Sequence, residues 1–482
     1  MIEHHPDYGQ PALFVDGEWI VETQRKGEVF NPATGEVLSQ FPMAESEHIG
    51  RALASSLSAF SVWSRLSHQE RGAIMRTAAG ELRKGSEEAA RHMTLELGKP
   101  LSESRLEIEN CATLLEWSAS AVATLADRKL DAMPGFVART MRTEPIGPVA
   151  AIAPWNFPAS LAARKMASAL AAGCSVVVKP AEETPMCFQS VVKALEAAGL
   201  PRGTVNILIG DPGQITSTLI TSPVIRKIAF TGSTRVGKLL AAQAGAEAKP
   251  CVLELGGHAP VVVFDDADLD RVINLSIAAK ARNAGQVCIS PTRFLVQDGV
   301  FEAFAEPFAK GLSRLKIGDG QDPDTQMGPL ISPARIEAVD TLVQEAVAKG
   351  GRLLTGGRRL NRPGNFYAPT VLVDVPPDAR IMQEEPFGPV AVVNRFTDFD
   401  DAVSHANNTD FALAAYAFTG SQDRADRISR ALDAGMVGIN GFGVVFLDSS
   451  LGGRRQSGYG REGGIEGLEA YLTQKIVAQA EI

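Results

Sequence analysis

Cys288 stands in the run RNAGQVCIS, residues 282–290, with Gly285 and Gln286 before it and Ser290-Pro291 at its far side. A core cysteine usually belongs to a periodic apolar pattern, which this run lacks. Two readings stand side by side: a small packed thiol, or a nucleophile whose thiolate attacks an electrophilic carbon. A helix end or a nearby cation would raise the thiolate fraction. Glu254 lies in CVLELGGHAPVVVF, an apolar segment, just before Gly256-Gly257. A buried carboxylate is uncommon unless paired or functional. Desolvation lifts its pKa toward neutrality, as a general base requires, while a salt-bridged structural role is the plainer alternative. Asn156, in APWNFP, sits between an apolar run and Pro158. Held by flanking prolines, its amide N–H suits an oxyanion, though asparagine also serves simply as a turn former.

Two further stretches have the chemistry of a phosphate- or ribose-binding loop. In KIAFTGSTRVGKLL, Gly232, Ser233 and Thr234 fall between a strand-like and a helix-like run. Free N–H groups and the dipole at a helix start favour a phosphate. Gly232 lets the backbone approach closely and Ser233 offers a hydroxyl. The spacing is not G-x-G-x-x-G, and an ordinary helix cap by Ser233 fits it equally well. In VVVKPAEETP, Lys179 and Glu182 follow a β-branched run. They would lie beyond the carboxyl end of a strand, where doubly wound sheets bind ligands. A carboxylate there accepts from a ribose 2′-hydroxyl and repels a 2′-phosphate; a solvated loop is the alternative.

The elements that must position these residues are legible as an alternation. Residues 46–126 have helical spacing with little proline. From residue 147, GPVAAIAP, SVVVKP, TVNILIG and KIAF read as strands, and ASLAARKMASALAAG and TPMCFQSVVKALEAAGL read as helices, the first ending at Gly173. Such alternation predicts a parallel, doubly wound sheet whose strands are covered on both faces. A second α/β block follows from about residue 260, with strands near PVVVF, RFLVQ, RLLTG, VAVVNRF and VGING and a last strand in LTQKIVAQ. Between the helical and α/β parts, Pro134-Gly135 predicts the turn of a long hairpin.

Composition sets the outer limits. A chain of 482 residues exceeds one comfortable core, so two or three domains are expected. Its net charge of −9 disfavours general binding to nucleic acid. The five cysteines, 111, 174, 187, 251 and 288, match no zinc or disulfide framework, so no metal is expected and a reducing compartment, the cytoplasm, fits. The N-terminal MIEHHPDYGQPALF has no secretory pattern, and the weakly polar run Met166 to Val178 is too short to span a bilayer, so no membrane is expected.

Taken in order, PWNFP, KPAEETP, FTGSTRVG, LELGGHAP, GQVC and EEPFGP make the chain resemble the aldehyde dehydrogenase superfamily, from NPATGEVL near residue 31 to QSGYGREGG near residue 464. The resemblance implies an aldehyde dehydrogenase-like α/β fold. A Rossmann-type NAD-binding domain would comprise 1–122 and 145–253, a second α/β catalytic domain 254–460, and a small β oligomerisation element 123–144 and 461–482. It implies Cys288 as nucleophile, Glu254 as general base for deacylation, and Asn156 as oxyanion donor with the Cys288 backbone N–H. Lys179 and Glu182 would bind the adenine ribose, Gly232 and Ser233 the pyrophosphate, and Glu385 and Phe387 the nicotinamide and its ribose. NAD is favoured by Glu182, while Lys179 leaves NADP open. The partners implied are an aldehyde and further copies of the chain, as a homodimer or homotetramer.

ARNAGQVCISPTRFLVQDGVFEAF is similar to the branch acting on carboxylate-bearing semialdehydes, the succinate and 2-oxoglutarate semialdehyde dehydrogenases. Arg164 and Arg282 match carboxylate-binding arginines of that branch, and a guanidinium grips a carboxylate bidentately. One departure stands out. Val445 falls where succinate semialdehyde enzymes carry a carboxylate-binding serine, and with Phe446 it suggests an apolar wall. That wall suits a larger or aromatic-bearing aldehyde, unless Ser449 or Ser450 takes the polar role. An NAD-independent thiol esterase, a CoA-acylating enzyme and an inactive cofactor-binding homologue are the competing classes; Glu254 favours water over CoA as acyl acceptor.

Overall fold

The computed structural model describes residues 5–481. The first four residues and residue 482, which belong to the expected outer segments and to the N-terminal stretch searched for a leader, lie outside the described set.

Two large sheets carry the site. The first has eight strands, and its centre is parallel: Val205–Ile207, Val176–Lys179, Val149–Ile152, Lys227–Thr231 and Cys251–Glu254, in that spatial order. Leu13–Val15 and Glu18–Ile20 extend one edge, and Gly458–Tyr459 closes the other, antiparallel to Leu253 and Glu254. The β-branched runs are fully buried, as a strand covered on both faces requires. The second sheet has seven strands, with six parallel in the order Thr370–Val373, Val390–Phe396, Pro291–Gln297, Ala259–Val263, Ala414–Phe418 and Met436–Ile439. Arg352–Thr355 adds antiparallel to the first of these.

Helix Pro158–Ala172 follows the residues of APWNFP. Pro158 at its first position costs no hydrogen bond, and Gly173 ends it in the left-handed conformation, φ 97°. Helix Gln189–Ala197 starts later than the sequence pattern predicts. The Met186 and Cys187 amides donate instead to the buried carboxylate of Glu96, which satisfies them without a helical turn.

The expected long hairpin at Pro134-Gly135 is short. Arg128–Lys129 pairs only with Met141 and Thr140, whereas the ten-residue Phe136–Pro145 pairs along its length with the C-terminal Leu472–Ala480. Asp131, Pro134 and Gly135, the last at φ 83°, cannot sustain a ladder on the first arm. This three-stranded sheet is largely exposed.

Between the sheets the backbones meet at glycines. A Cβ on Gly257 would lie 2.2 Å from the Cys288 carbonyl oxygen, and one on Gly285 would lie 2.1 Å from the Gly388 carbonyl oxygen. Gly285 also has φ 72°. Gly285→Ala therefore combines a clash with left-handed strain and should lower stability by about 1–3 kcal/mol or more. Urea denaturation of the two proteins checks this, with an unchanged midpoint as the contrary result.

Candidate active site

Helix Leu269–Ala281 ends at Arg282, and the chain then turns through Asn283 and Ala284 at φ 45° and 52° before Gly285. Three consecutive residues in the left-handed region reverse the backbone and deliver Cys288 to the junction between the sheets. Cys288 is half-buried, and its Sγ donates to Glu254 Oε1 at 3.5 Å. Burial raises the Cys288 pKa well above the ordinary thiol value, and the carboxylates of Glu254 and Glu385 add to the effect. The groups acting on the thiol are thus carboxylates rather than a cation that would raise the thiolate fraction, and Glu254 is already in contact.

Glu254 ends the strand Cys251–Glu254 and is buried. Desolvation raises its pKa, and Glu462 pushes the same way; Lys165, Arg164 and a hydrogen bond from Thr231 pull it back down. The Thr231 hydroxyl donates to Glu254 Oε2 at 3.1 Å, and the Lys165 ammonium donates to Thr231 Oγ1 and, at 2.8 Å, to Glu462 Oε2. Glu254 is therefore not in a direct salt bridge, and its pKa is raised, as the general-base reading requires. A buried ion pair, Lys165 with Glu462, reaches its carboxylate through the Thr231 hydroxyl.

Asn156 is buried and donates from Nδ2 to the Gln286 carbonyl at 3.1 Å, two residues before Cys288. This bond uses one of the two amide N–H groups and fixes the plane of the other. The Asn283 side chain donates to the Asn156 carbonyl at 3.0 Å and to the same Gln286 carbonyl at 3.2 Å. The turn reading of Asn156 and the functional one are thus compatible.

Cys288, Glu254, Arg164, Arg282, Val445 and Phe446 line one cavity of about 720 Å³. Arg164 is largely desolvated, which lowers its pKa, and its Nη1 has no hydrogen-bond partner. Arg282 differs: its guanidinium lies 4.9 Å from the centre of the Phe157 ring and acts on the carboxyl of Glu103. Val445, Phe446 and Leu106 are exposed at the rim, and Leu161 and Leu451 continue the apolar wall inside. Neither Ser449 nor Ser450 lines the cavity.

The other sequence-selected residues stand outside that lining. Lys179 ends the strand Val176–Lys179 and is ion-paired with Glu182. Ser233 caps the 13-residue helix Thr234–Ala246, accepting from Val236 N at 3.4 Å. A Cβ on Gly232 would meet the Phe230 ring at 2.4 Å, so packing as well as access calls for glycine there. Glu385 accepts from Gly257 N at 3.2 Å, and burial pushes its pKa up to about 8, against the pull of Arg335 and Lys280. Phe387, at φ 44°, stands edge-on to Trp155 at 5.4 Å. Lys179, with Glu182 just beyond it, and the helix start at Ser233 stand at the carboxyl ends of parallel strands, where doubly wound sheets bind ligands.

Sequence reasoning missed Lys165, Thr231 and Glu462 behind Glu254, and Glu103 and Glu107 on the cavity wall. A signal existed for Lys165, a charge within the apolar run of ASLAARKMASALAAG. Glu462 gave none, because its partner is far away along the chain.

A cysteine and a buried carboxylate in contact, beside the carboxyl ends of a parallel sheet, are what an NAD(P)-dependent aldehyde dehydrogenase requires. Sequence comparison agrees: the pattern of the Aldehyde dehydrogenase family matches residues 19–477, and the chain belongs to that family. It is 40% identical over 475 residues to a succinate-semialdehyde dehydrogenase [NADP(+)] of Escherichia coli K12, covering 98% of each chain. It is 41% identical over 471 residues to a 4-(hydroxymethyl)benzenesulfonate dehydrogenase of Comamonas testosteroni, again covering 98% of each. The crystal structure of a succinate-semialdehyde dehydrogenase from Burkholderia pseudomallei superposes with a TM-score of 0.96 at 40% identity, over 99% of both chains. No helix among the described residues is long and apolar enough to cross a membrane.

The raised thiol pKa predicts the pH profile of alkylation. Without other ligands, the rate of Cys288 modification by iodoacetamide should still climb through pH 9, about tenfold per unit below the midpoint. Glu254→Gln removes a negative neighbour, lowers the thiol pKa and should raise the rate at pH 8. Mass-spectrometric labelling of Cys288 reads both; a plateau below pH 8 in the unsubstituted protein contradicts the assignment.

Proposed function

We propose that the enzyme oxidises a semialdehyde-type substrate, an aldehyde with an anion at its far end, to the acid through covalent attachment to Cys288. The contact between Cys288 and Glu254, in a cavity that also holds the unpartnered guanidinium of Arg164, carries this reading. As the Cys288 sulfur adds to the aldehyde carbon, Glu254 takes the thiol proton. The oxygen anion that forms accepts from the Asn156 side-chain N–H and the Cys288 backbone N–H. Bound NAD(P) supplies the acceptor for the hydride that leaves the former aldehyde carbon. Cys288 then holds the acyl group as a thioester. After releasing that first proton to solvent, Glu254 takes a proton from the attacking water and passes it to the departing sulfur, so the carboxylic acid leaves with the thiol restored.

Lys179 and Glu182 would hold the adenine ribose, Gly232 and Ser233 the pyrophosphate, and Glu385 and Phe387 the nicotinamide end. Their ion pair offsets the repulsion of a 2′-phosphate by Glu182, so NAD is used with NADP also accepted. We read 1–122 with 145–253 as the cofactor domain and 254–460 as the catalytic domain. In that division, strand Gly458–Tyr459 is a catalytic-domain segment seated on the cofactor sheet. Segments 123–144 and 461–482 would join copies of the chain into a homodimer or homotetramer, and exposed Met133, Phe136, Val137 and Ile476 support that use. Five cysteines without disulfides suit the cytoplasm.

On substrate, the two arginines are unequal. Arg164 has donors to offer, while Arg282 is already balanced by Glu103 and Phe157, so Arg164 is the main grip and Arg282 the second. Succinate semialdehyde and 2-oxoglutarate semialdehyde are the small candidates. The apolar wall of Leu106, Leu161, Val445, Phe446 and Leu451 favours, as a second reading, a larger or aromatic body carrying the same kind of anion.

Two outcomes are expected. Cys288→Ala should abolish aldehyde-dependent NADH formation while binding of NAD, followed by fluorescence titration, persists; substantial turnover in that variant would sink the assignment. Arg164→Leu should raise KM for anionic aldehydes by about 10–100-fold, the loss of a charge-assisted hydrogen bond, and leave KM for neutral aliphatic aldehydes nearly unchanged. A panel of succinate, 2-oxoglutarate and aromatic semialdehydes against propanal decides it, and equal efficiency on propanal would remove the anion grip.

A further inference from the structure

Helix Leu101–Ala121 presents Glu103 and Glu107 on one face, four residues apart, and both line the cavity beside Cys288. Glu107 is buried; its Oε1 accepts from Ala159 N and Ser160 N, each at 3.0 Å, and its Oε2 pairs with Lys99. Those amides belong to the first turn of helix Pro158–Ala172, immediately after Asn156 and Phe157. Glu107 thus anchors the segment that carries the amide donor, by meeting free N–H groups at a helix start.

Glu103 holds the other half. Its carboxylate accepts from Asn283 N at 3.0 and 3.3 Å. Asn283 and Ala284 occupy the left-handed region without being glycine, a conformation that persists only where surrounding contacts enforce it. The Asn283 side chain bonds the Asn156 carbonyl and the Gln286 carbonyl, and Asn156 bonds that same Gln286 carbonyl. One helix therefore grips both the Asn156 turn and the Asn283–Cys288 turn, and the two turns are tied to each other between those grips. Lys99 and Arg282 lie 4.5 and 4.9 Å from the Phe157 ring centre, and their charges act on the Glu103 carboxyl.

We propose that Glu103 is a positioning residue for the reaction: its hydrogen bond to Asn283 N fixes the left-handed turn, and so sets where the Cys288 sulfur stands relative to Asn156. It acts by reach rather than by charge. The proposal rests on Cys288 being the reacting sulfur, which the Cys288→Ala result decides separately.

Two conservative variants of the whole enzyme divide reach from charge. Glu103→Asp keeps the charge and withdraws the carboxylate by one methylene; Glu103→Gln keeps an acceptor oxygen in place and removes the charge. Steady-state kinetics with NAD, the rate of Cys288 alkylation by iodoacetamide and the thermal midpoint are measured for both. Glu103→Asp should lower kcat by about 10–100-fold, the scale of a misplaced reacting group, with KM for NAD within about twofold and a changed alkylation rate. Glu103→Gln should retain at least about a third of kcat. The proposal is overturned if Asp keeps activity and Gln loses it, which would make the charge decisive. It is equally overturned if both variants keep kcat, or if kcat falls only as far as the thermal midpoint explains, with alkylation unmoved.

Discussion

The site depends on keeping one carboxylate out of water without neutralising it. For the proposed chemistry Glu254 must be dry enough to have a raised pKa and close enough to Cys288 to take its proton. An isolated buried carboxylate would simply stay protonated. Lys165, balanced by Glu462 and linked through Thr231, supplies positive charge at one remove. A lysine in direct contact would lock Glu254 as an ion pair and depress its basicity. The intervening hydroxyl provides support while leaving the Oε1 edge free for the sulfur.

That arrangement explains several features of the fold. The strand Cys251–Glu254 ends at the sheet junction, so its last side chain faces the second sheet's loop. Gly256 and Gly257 then let the chain cross so closely that the second of them nearly touches the Cys288 carbonyl. The Gly257 amide also meets Glu385, so the base, the nucleophile's loop and a proposed cofactor contact share one short stretch of backbone. The parallel sheets are the rigid supports, and the chemistry is confined to the turns between them.

Much of this was legible in the sequence, and the limits are physical. The strand–helix alternation survives because each strand is buried on both faces and each helix has its own stop signal, as at Gly173. Glu254 and Cys288 were visible because each breaks its local pattern, a charge in an apolar run and a thiol outside one. The pairing of Phe136–Pro145 was misjudged because a strand's partner is set by tertiary packing: Pro134-Gly135 signals a turn but says nothing of how long its first arm stays extended. The support by Lys165 and Glu462 and the grip of Glu103 on Asn283 join distant segments, and no local periodicity encodes such a contact. The charges near Cys288, the carboxylates of Glu254 and Glu385, likewise come from whatever the fold brings there.

The antiparallel strand Gly458–Tyr459 bears on the order in which the protein is made. It seats on Leu253 and Glu254, and Glu462 lies just beyond it. A ribosome therefore releases Cys288, Glu254 and Lys165 long before the residues that complete their surroundings. Until Gly458–Tyr459 and Glu462 emerge, the lysine lacks its counter-ion and the eight-stranded sheet has an open edge. The surroundings of Cys288 and Glu254 are thus completed only after both residues have been made, and a chain lacking residues 458–462 would hold the thiol without the setting that surrounds it.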